Sequence, residues 1–300
     1  MGPIGTALAA HLIEAGAFVV LCDVDREKID QMKDKGILLE NLIEKEVGVT
    51  ETCYSVQDLG RYDLDLVAIS VKTPVLKQVV GELDKSGLYK AFVMCAQNGL
   101  DNEMEAAEVV GEGRTLRMVV NYAGGMSAPN TMHVIFFNPP NYVAALAPQG
   151  EAMAATVAEM LSSVGLATEV PDNIQHYTWE KAILNAALAP VCAITGLTMR
   201  EVTENPTGMG LVKAILEESI AVAEAEGHTY GDDFLEFCTK YLKAGGYHRP
   251  SMLVDLDNGL LTEIDRMNGR IAEYGRQHGM PVPVNETITA LVHLMEKRTK

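Results

Sequence analysis

Cysteine, tryptophan and positive charge are all scarce in this chain of 300 residues. The five cysteines, Cys22, Cys53, Cys95, Cys192 and Cys238, are odd in number, far apart and form no CxxC pair. That spacing suggests neither a disulfide framework nor a zinc site or other metal site, and predicts reduced, mostly buried thiols. Lysine and arginine number 24 against 41 acidic residues, a formal charge of −17 with no basic cluster. Nucleic acid is disfavoured as a partner, since binding it takes basic groups to neutralise phosphates; a small anion in a local positive pocket is not. No apolar run reaches the length of a membrane span, and the N-terminus lacks the basic-then-apolar pattern of a secretory signal. A cytoplasmic protein with no membrane partner is the expectation.

A further absence is local. The chain opens MGPIGTALAAHLIEAG, which reads as the second half of a phosphate-binding loop running into a helix. The full dinucleotide fingerprint, G-x-G-x-x-G/A, follows a strand; its glycines allow a tight turn, close approach of the pyrophosphate and close helix–strand packing. Gly2 and Gly5 fit the second and third glycines and, with Pro3 and Ile4 between them, open a helix whose first amides would hold a pyrophosphate. A proline early in a helix also has a plain structural explanation. The feeding strand and the first glycine are missing. That strand would be central in its sheet, and without it two strand edges stand exposed. The expectation is a natural start upstream of Met1.

The residues that are present change period along the chain. A hydrophobic fraction of 48% and a charged fraction of 22% are those of an ordinary globular protein, long enough for two domains. Residues 18–25, 65–72, 91–100, 115–125, 131–140 and 141–148 are short apolar runs of strand type. Helical patterns alternate with them at 26–36 and after Thr73-Pro74. Such alternation predicts an α/β fold, a parallel, doubly wound sheet of Rossmann-like type with its first strand missing. Beyond Trp179 nearly everything has helical periodicity, broken at Gly196, Gly227, Gly245-Gly246 and Gly279. The expected division is a dinucleotide-binding domain over 1–168 and an all-helical C-terminal domain over 169–300. Asp23 falls at the end of the second expected strand, 18 residues after Gly5. A carboxylate there can bond the two hydroxyls of an adenosine ribose and would repel a 2′-phosphate; a solvated strand end is the alternative.

Four further stretches carry chemistry. VAISVKTP places Lys72 at a strand end, and AQNGL places Asn98 at the next. WEKAILNAALAPVCAITG puts Lys181 and Asn185 four apart on one helix face. PSMLVDLDNGLLTEIDRMNG carries Ser251 and Glu263, and HGMPVPVN follows at 278–285. Together these resemble the ketopantoate reductase (2-dehydropantoate 2-reductase) family, from Gly2 to the C-terminal helix. The resemblance implies an NAD(P)H-dependent oxidoreductase that passes a hydride to the 2-keto carbon of ketopantoate, giving pantoate for pantothenate biosynthesis. It makes Lys181 the general acid. It sets Asn98 against cofactor and substrate, Asn185 against the substrate, Ser251 and Glu263 at the substrate's carboxylate and hydroxyl ends, and Lys72 against the cofactor. Each has a plainer reading. Lys181 could be a surface lysine, Asn98 a turn residue, Asn185 an interhelical bond, Ser251 a helix cap, Glu263 an i,i+3 partner of Arg266, and Lys72 a solvated strand end.

Two positions depart from the pattern. The family commonly carries a second asparagine one turn after the one matching Asn185, and here Ala189 stands there, followed by Pro190. That leaves open another small 2-keto acid as substrate. Most relatives also prefer NADP and place a basic or neutral residue where Asp23 stands, so Asp23 leans toward NAD. A nucleotide-binding protein without catalysis is the third reading, motivated by the incomplete loop. The helical half is compatible with a homodimer.

Overall fold

Three sheets organise the first half of the chain. The computed structural model describes residues 1–298, in two units: Met1–Gln97 with Asn102–Ile174, and Asn98–Asp101 with the chain from Gln175 on. The first unit contains α1 (Pro3–Glu14), β1 (Val20–Cys22), α2 (Arg26–Lys35), β2 (Ile37–Asn41), β3 (Lys45–Val47), β4 (Glu51–Cys53), β5 (Leu66–Ile69), α3 (Leu76–Lys85) and β6 (Phe92–Cys95). It continues with α4 (Asn102–Val110), β7 (Thr115–Val119), β8 (Tyr122–Ala128), β9 (Thr131–Phe137), β10 (Asn141–Ala145), α5 (Glu151–Ser163) and β11 (Thr168–Glu169).

Local chemistry explains where these elements begin. Helix α1 is an alanine-rich run opened by Pro3, whose fixed φ suits a first turn and whose missing N–H is no loss there. Helix α2 is capped by Asp25, whose carboxylate accepts from the Lys28 N–H at 3.1 Å. β1 and β4 pair in parallel, Val20 opposite Glu51 and Cys22 opposite Cys53. A second sheet has the order β5-β6-β7-β10-β11, and a third the order β3-β2-β9-β8.

The α/β reading holds, but the sheet is not uniformly parallel. β5, β6 and β7 run parallel, whereas β10 lies antiparallel on β7. The single strand expected over 115–125 is two strands in different sheets. The chain breaks at Asn121, whose N–H is held by the Asn141 Oδ1 at 2.7 Å and whose side chain donates to the Pro140 carbonyl at 2.6 Å. Among the described residues β1 pairs only with β4, and β5 only with β6. β5 has the burial of an edge, with Leu66 and Val67 half-buried and Ala68 exposed, while all five residues of β7 are buried.

The second unit is helical: α6 (Ile174–Thr195), α7 (Met199–Glu204), α8 (Pro206–Ala225), α9 (Phe234–Lys243), α10 (Ser251–Asp257), α11 (Asn268–Gln277) and α12 (Pro283–Arg298). Its core is built on α6, where Ala182, Ile183, Ala186 and Ala187 are at most 1% exposed and the three alanines allow close helix packing. Pro190 sits inside this helix and has no N–H for the Ala186 carbonyl one turn earlier. Asn268, the first residue of α11, supplies the bond instead, its Nδ2 donating to that carbonyl at 3.0 Å. The same amide donates to Asn285 Oδ1 at 3.0 Å, and Asn285 donates to Glu218 at 2.8 Å. Glu218 in turn accepts from the Val284 and Asn285 N–H groups in the first turn of α12, both at 2.9 Å. No described helix is long and apolar enough to cross a membrane.

Candidate active site

In the first unit the candidate residues lie at the start of α1 and at the carboxyl ends of parallel strands. Gly5 is buried, and a Cβ there would overlap the Ser70 hydroxyl just past β5, which would have to turn away to admit it. At Gly2 a Cβ would meet nothing within 4 Å, which leaves space over the first turn of the helix. The first amides of α1 have no intrahelical acceptor, since the ladder begins with Thr6 N–H to Gly2 C=O at 2.9 Å. The Thr6 hydroxyl is fully buried there without a hydrogen-bond partner. Tyr122 anchors the same turn by donating to the Ile4 carbonyl at 2.9 Å. Pro3 and Ile4 are half-buried beside it.

Asp23 follows β1 directly. Its carboxylate accepts from the Asp25 N–H at 3.0 Å, pairs with the Met1 ammonium, and has Lys28 Nζ at 3.9 Å. Lys72 is half-buried three residues past β5 and begins the short 3-10 turn Thr73–Val75. A dinucleotide fits these residues: open space and free-standing amides at a helix N-terminus, an unmatched buried hydroxyl beside them, and a carboxylate at the adjacent strand end. Among the described residues no cluster of histidine, cysteine, aspartate and glutamate could hold a metal ion.

In the second unit Lys181 and Asn185 are half-buried, one turn apart on α6. Burial pushes the carboxyl of the neighbouring Glu180 up from its usual range. Glu263 is 5% exposed and leads into a 3-10 turn, Ile264–Arg266. That turn holds the Asn98 segment: the Leu100 N–H donates to the Arg266 carbonyl at 2.8 Å, and Leu100 is buried in the helical core. Gly99 has φ of +94°, and a Cβ on it would overlap the Arg266 backbone. Asp101 closes the segment by pairing with Arg270 and accepting from the Tyr274 hydroxyl at 2.9 Å. Through Asn268 the start of α11 is tied to Ala186, the residue after Asn185. One continuous set of bonds thus links the neighbourhoods of Asn98, Glu263 and the Lys181–Asn185 face.

None of these bonds involves Ser251, which is exposed at the first position of α10 and contributes no side-chain cap to it. Ala189 is 8% exposed in the helical core. Sequence reading missed Thr6, Gln97, Asn268 and the Asp101–Arg270–Tyr274 contact. A signal existed for Asn268, because a proline inside a helical pattern leaves a carbonyl that needs an outside donor. A glutamine at a strand end carries no comparable signal.

Comparison with known proteins places this geometry. The model of the ketopantoate reductase PanE/ApbA family matches residues 1–144, and that of the family's C-terminal domain matches 173–296. The 2-dehydropantoate 2-reductase of Aquifex aeolicus is 29% identical over 311 residues, covering 99% of this chain and 95% of its own. That of Streptococcus pyogenes serotype M1 is 26% identical, covering 98% and 95%. Among solved structures, D-mandelate dehydrogenase with NADH and anilino(oxo)acetate superposes with a TM-score of 0.88 at 25% identity, covering 99% of this chain and 96% of that one. A PanE/ApbA family ketopantoate reductase from Ralstonia eutropha JMP134 also gives 0.88 at 25% identity, covering 99% and 97%. With both of its domain models matched along nearly the whole chain, the protein belongs to the ketopantoate reductase family.

Proposed function

We propose that the chain is a 2-dehydropantoate 2-reductase, with residues 1–168 holding the cofactor and 169–300 the substrate. The observation that carries this reading is the linked set in the helical unit: Lys181 one turn from Asn185, with Glu263 and Asn98 pinned nearby by Asn268 and Leu100. When bound, the reduced nicotinamide supplies the hydride for the 2-keto carbon. The Lys181 ammonium holds the ketone oxygen, meets its developing charge and gives it a proton. Asn185 donates to a substrate oxygen. Glu263 accepts from the substrate's hydroxyl and Ser251 binds its carboxylate end. Gly2, Pro3, Ile4 and Gly5 present the first turn of α1 to the pyrophosphate, and Lys72 and Asn98 orient the nicotinamide half. Asp23 bonds the ribose diol, which favours NADH over NADPH because a 2′-phosphate would face a carboxylate.

A second reading keeps the chemistry and changes the substrate to another 2-keto acid. Ala189 favours it, since a methyl replaces a side chain able to bond the substrate, and so does the likeness to a D-mandelate dehydrogenase. Steady-state oxidation of NADH and of NADPH with ketopantoate, with smaller 2-keto acids and with an aromatic one tests both. The expected result is the highest kcat/KM for ketopantoate with NADH. Preference for another acid selects the second reading, and dinucleotide binding without turnover of any acid overturns both.

A further inference from the structure

Gln97 is the last residue of the first unit before the Asn98 segment and lies two residues past β6. Strand pairing continues just beyond β6, with the Ala96 N–H donating to the Ile69 carbonyl at 3.0 Å. Gln97 is 3% exposed, and neither its Oε1 nor its Nε2 has a hydrogen-bond partner. A buried amide unmatched at both ends is costly, because folding stripped it of water and returned nothing. A leucine or methionine would fill the same volume without that cost.

The position says what could match it. In doubly wound sheets ligands lie beyond the carboxyl ends of the parallel strands, and a dinucleotide divides between the two halves of the sheet. Asp23 at the end of β1 assigns the adenosine to the β1–β4 half. The β5–β6–β7 half, where Gln97 stands, then receives the nicotinamide. The chemistry narrows this further. The reacting end of a 2-oxo acid offers only acceptors and would leave Oε1 unmet. A nicotinamide carboxamide carries N–H and C=O on one planar group, the complement of a glutamine amide.

We propose that Gln97 is a cofactor-binding residue whose side-chain amide pairs with the carboxamide of the nicotinamide ring and fixes the ring's rotation. This rests on the reading of the chain as a nicotinamide-dependent reductase. The pairing makes Gln97 a cost in the unliganded protein and a gain in the complex.

The test is calorimetric titration of the wild type and of Gln97→Met with NADH and with reduced 3-acetylpyridine adenine dinucleotide, in which a methyl ketone replaces the carboxamide. Thermal melts of both unliganded proteins accompany it. Gln97→Met is expected to bind NADH about 10-fold more weakly and the acetyl analogue less than about 3-fold more weakly. The wild type's preference for NADH over the analogue should disappear in the variant, and the unliganded variant should melt roughly 1–3 °C higher. Unchanged NADH affinity, equal losses for both dinucleotides, or a lower melting temperature would each overturn the proposal. A wild type that binds no dinucleotide overturns the proposed function with it. A wild type that oxidises NADH on a keto acid, beside a variant of unchanged preference, overturns this inference alone.

Discussion

An alkoxide forming on a ketone oxygen needs a proton or a cation within about 3 Å as the hydride arrives. On the proposed reading Lys181, half-buried on α6, offers both. The arithmetic separates its two roles. A positioned general acid contributes about 10²–10⁴ in rate, whereas binding that acts equally on ground and transition states leaves kcat unchanged. Lys181→Ala is therefore expected to lower kcat by about 10²–10⁴, with NADH affinity unchanged. Lys181→Arg should fall between, because a guanidinium keeps the charge but surrenders its proton poorly. Steady-state kinetics with calorimetric NADH titration checks this. A Lys181→Ala enzyme turning over at wild-type rate would remove the lysine from the chemistry.

At the scale of elements, the helix that carries Lys181 depends on a repair. Pro190 leaves the Ala186 carbonyl without its intrahelical donor, and Asn268 reaches across from α11 to supply one. Asn268→Leu conserves volume and strands that carbonyl, so it should destabilise the protein by about 1–3 kcal/mol. Pro190→Ala restores an N–H at the same carbonyl. In that background Asn268→Leu should cost less, the remainder being the stranded Asn285 Oδ1. A double-mutant cycle by urea denaturation isolates the coupling; strictly additive losses would mean that the Asn268 bond does not substitute for the missing one. The same helix shows how far the elements were legible. Its period, its glycine stop and the pairing of Lys181 with Asn185 are written locally. The partner of Ala186 is 82 residues away and is not. Likewise the short apolar runs announced β1, β5 and β6, whose residues are apolar throughout although only β6 is largely buried. β2, β3 and β4 were not anticipated: ILLEN, KEV and ETC are short and partly polar, and become strands through neighbours such as β9 and β1. Asn98, Glu263 and Lys181 stood out by motif, whereas Thr6 and Gln97 became visible only as buried groups without partners.

Over the whole molecule two effects oppose each other as pH falls. The chain carries a formal charge of −17, so protonating carboxylates relieves self-repulsion and favours the folded state. Buried imidazoles act the other way. His11 is fully buried in α1; its Nδ1 lies 2.7 Å from the Ala7 carbonyl, which assigns the proton to that nitrogen, and its Nε2 has no partner. Burial, reinforced by Lys45, lowers the His11 pKa to about 4, against opposing effects of the Ala7 carbonyl and Glu14. Burial also lowers His228 and His248. Between the ordinary imidazole value of 6.5 and about 4 the unfolded chain takes up a proton at His11 that the folded chain refuses. Stability from this group is thus complete above pH 6.5 and drains away as pH falls toward 4, by about 3 kcal/mol in all. His11→Leu removes the titration and leaves the carboxylates as they are. Denaturation midpoints of the first unit's transition, taken at intervals from pH 7.5 to 4.5, should show the wild type losing ground to the variant steadily below about pH 6.5. A difference between the two that stays constant with pH would mean that His11 takes up a proton as readily in the native fold as in the unfolded chain, and that burial does not hold it neutral.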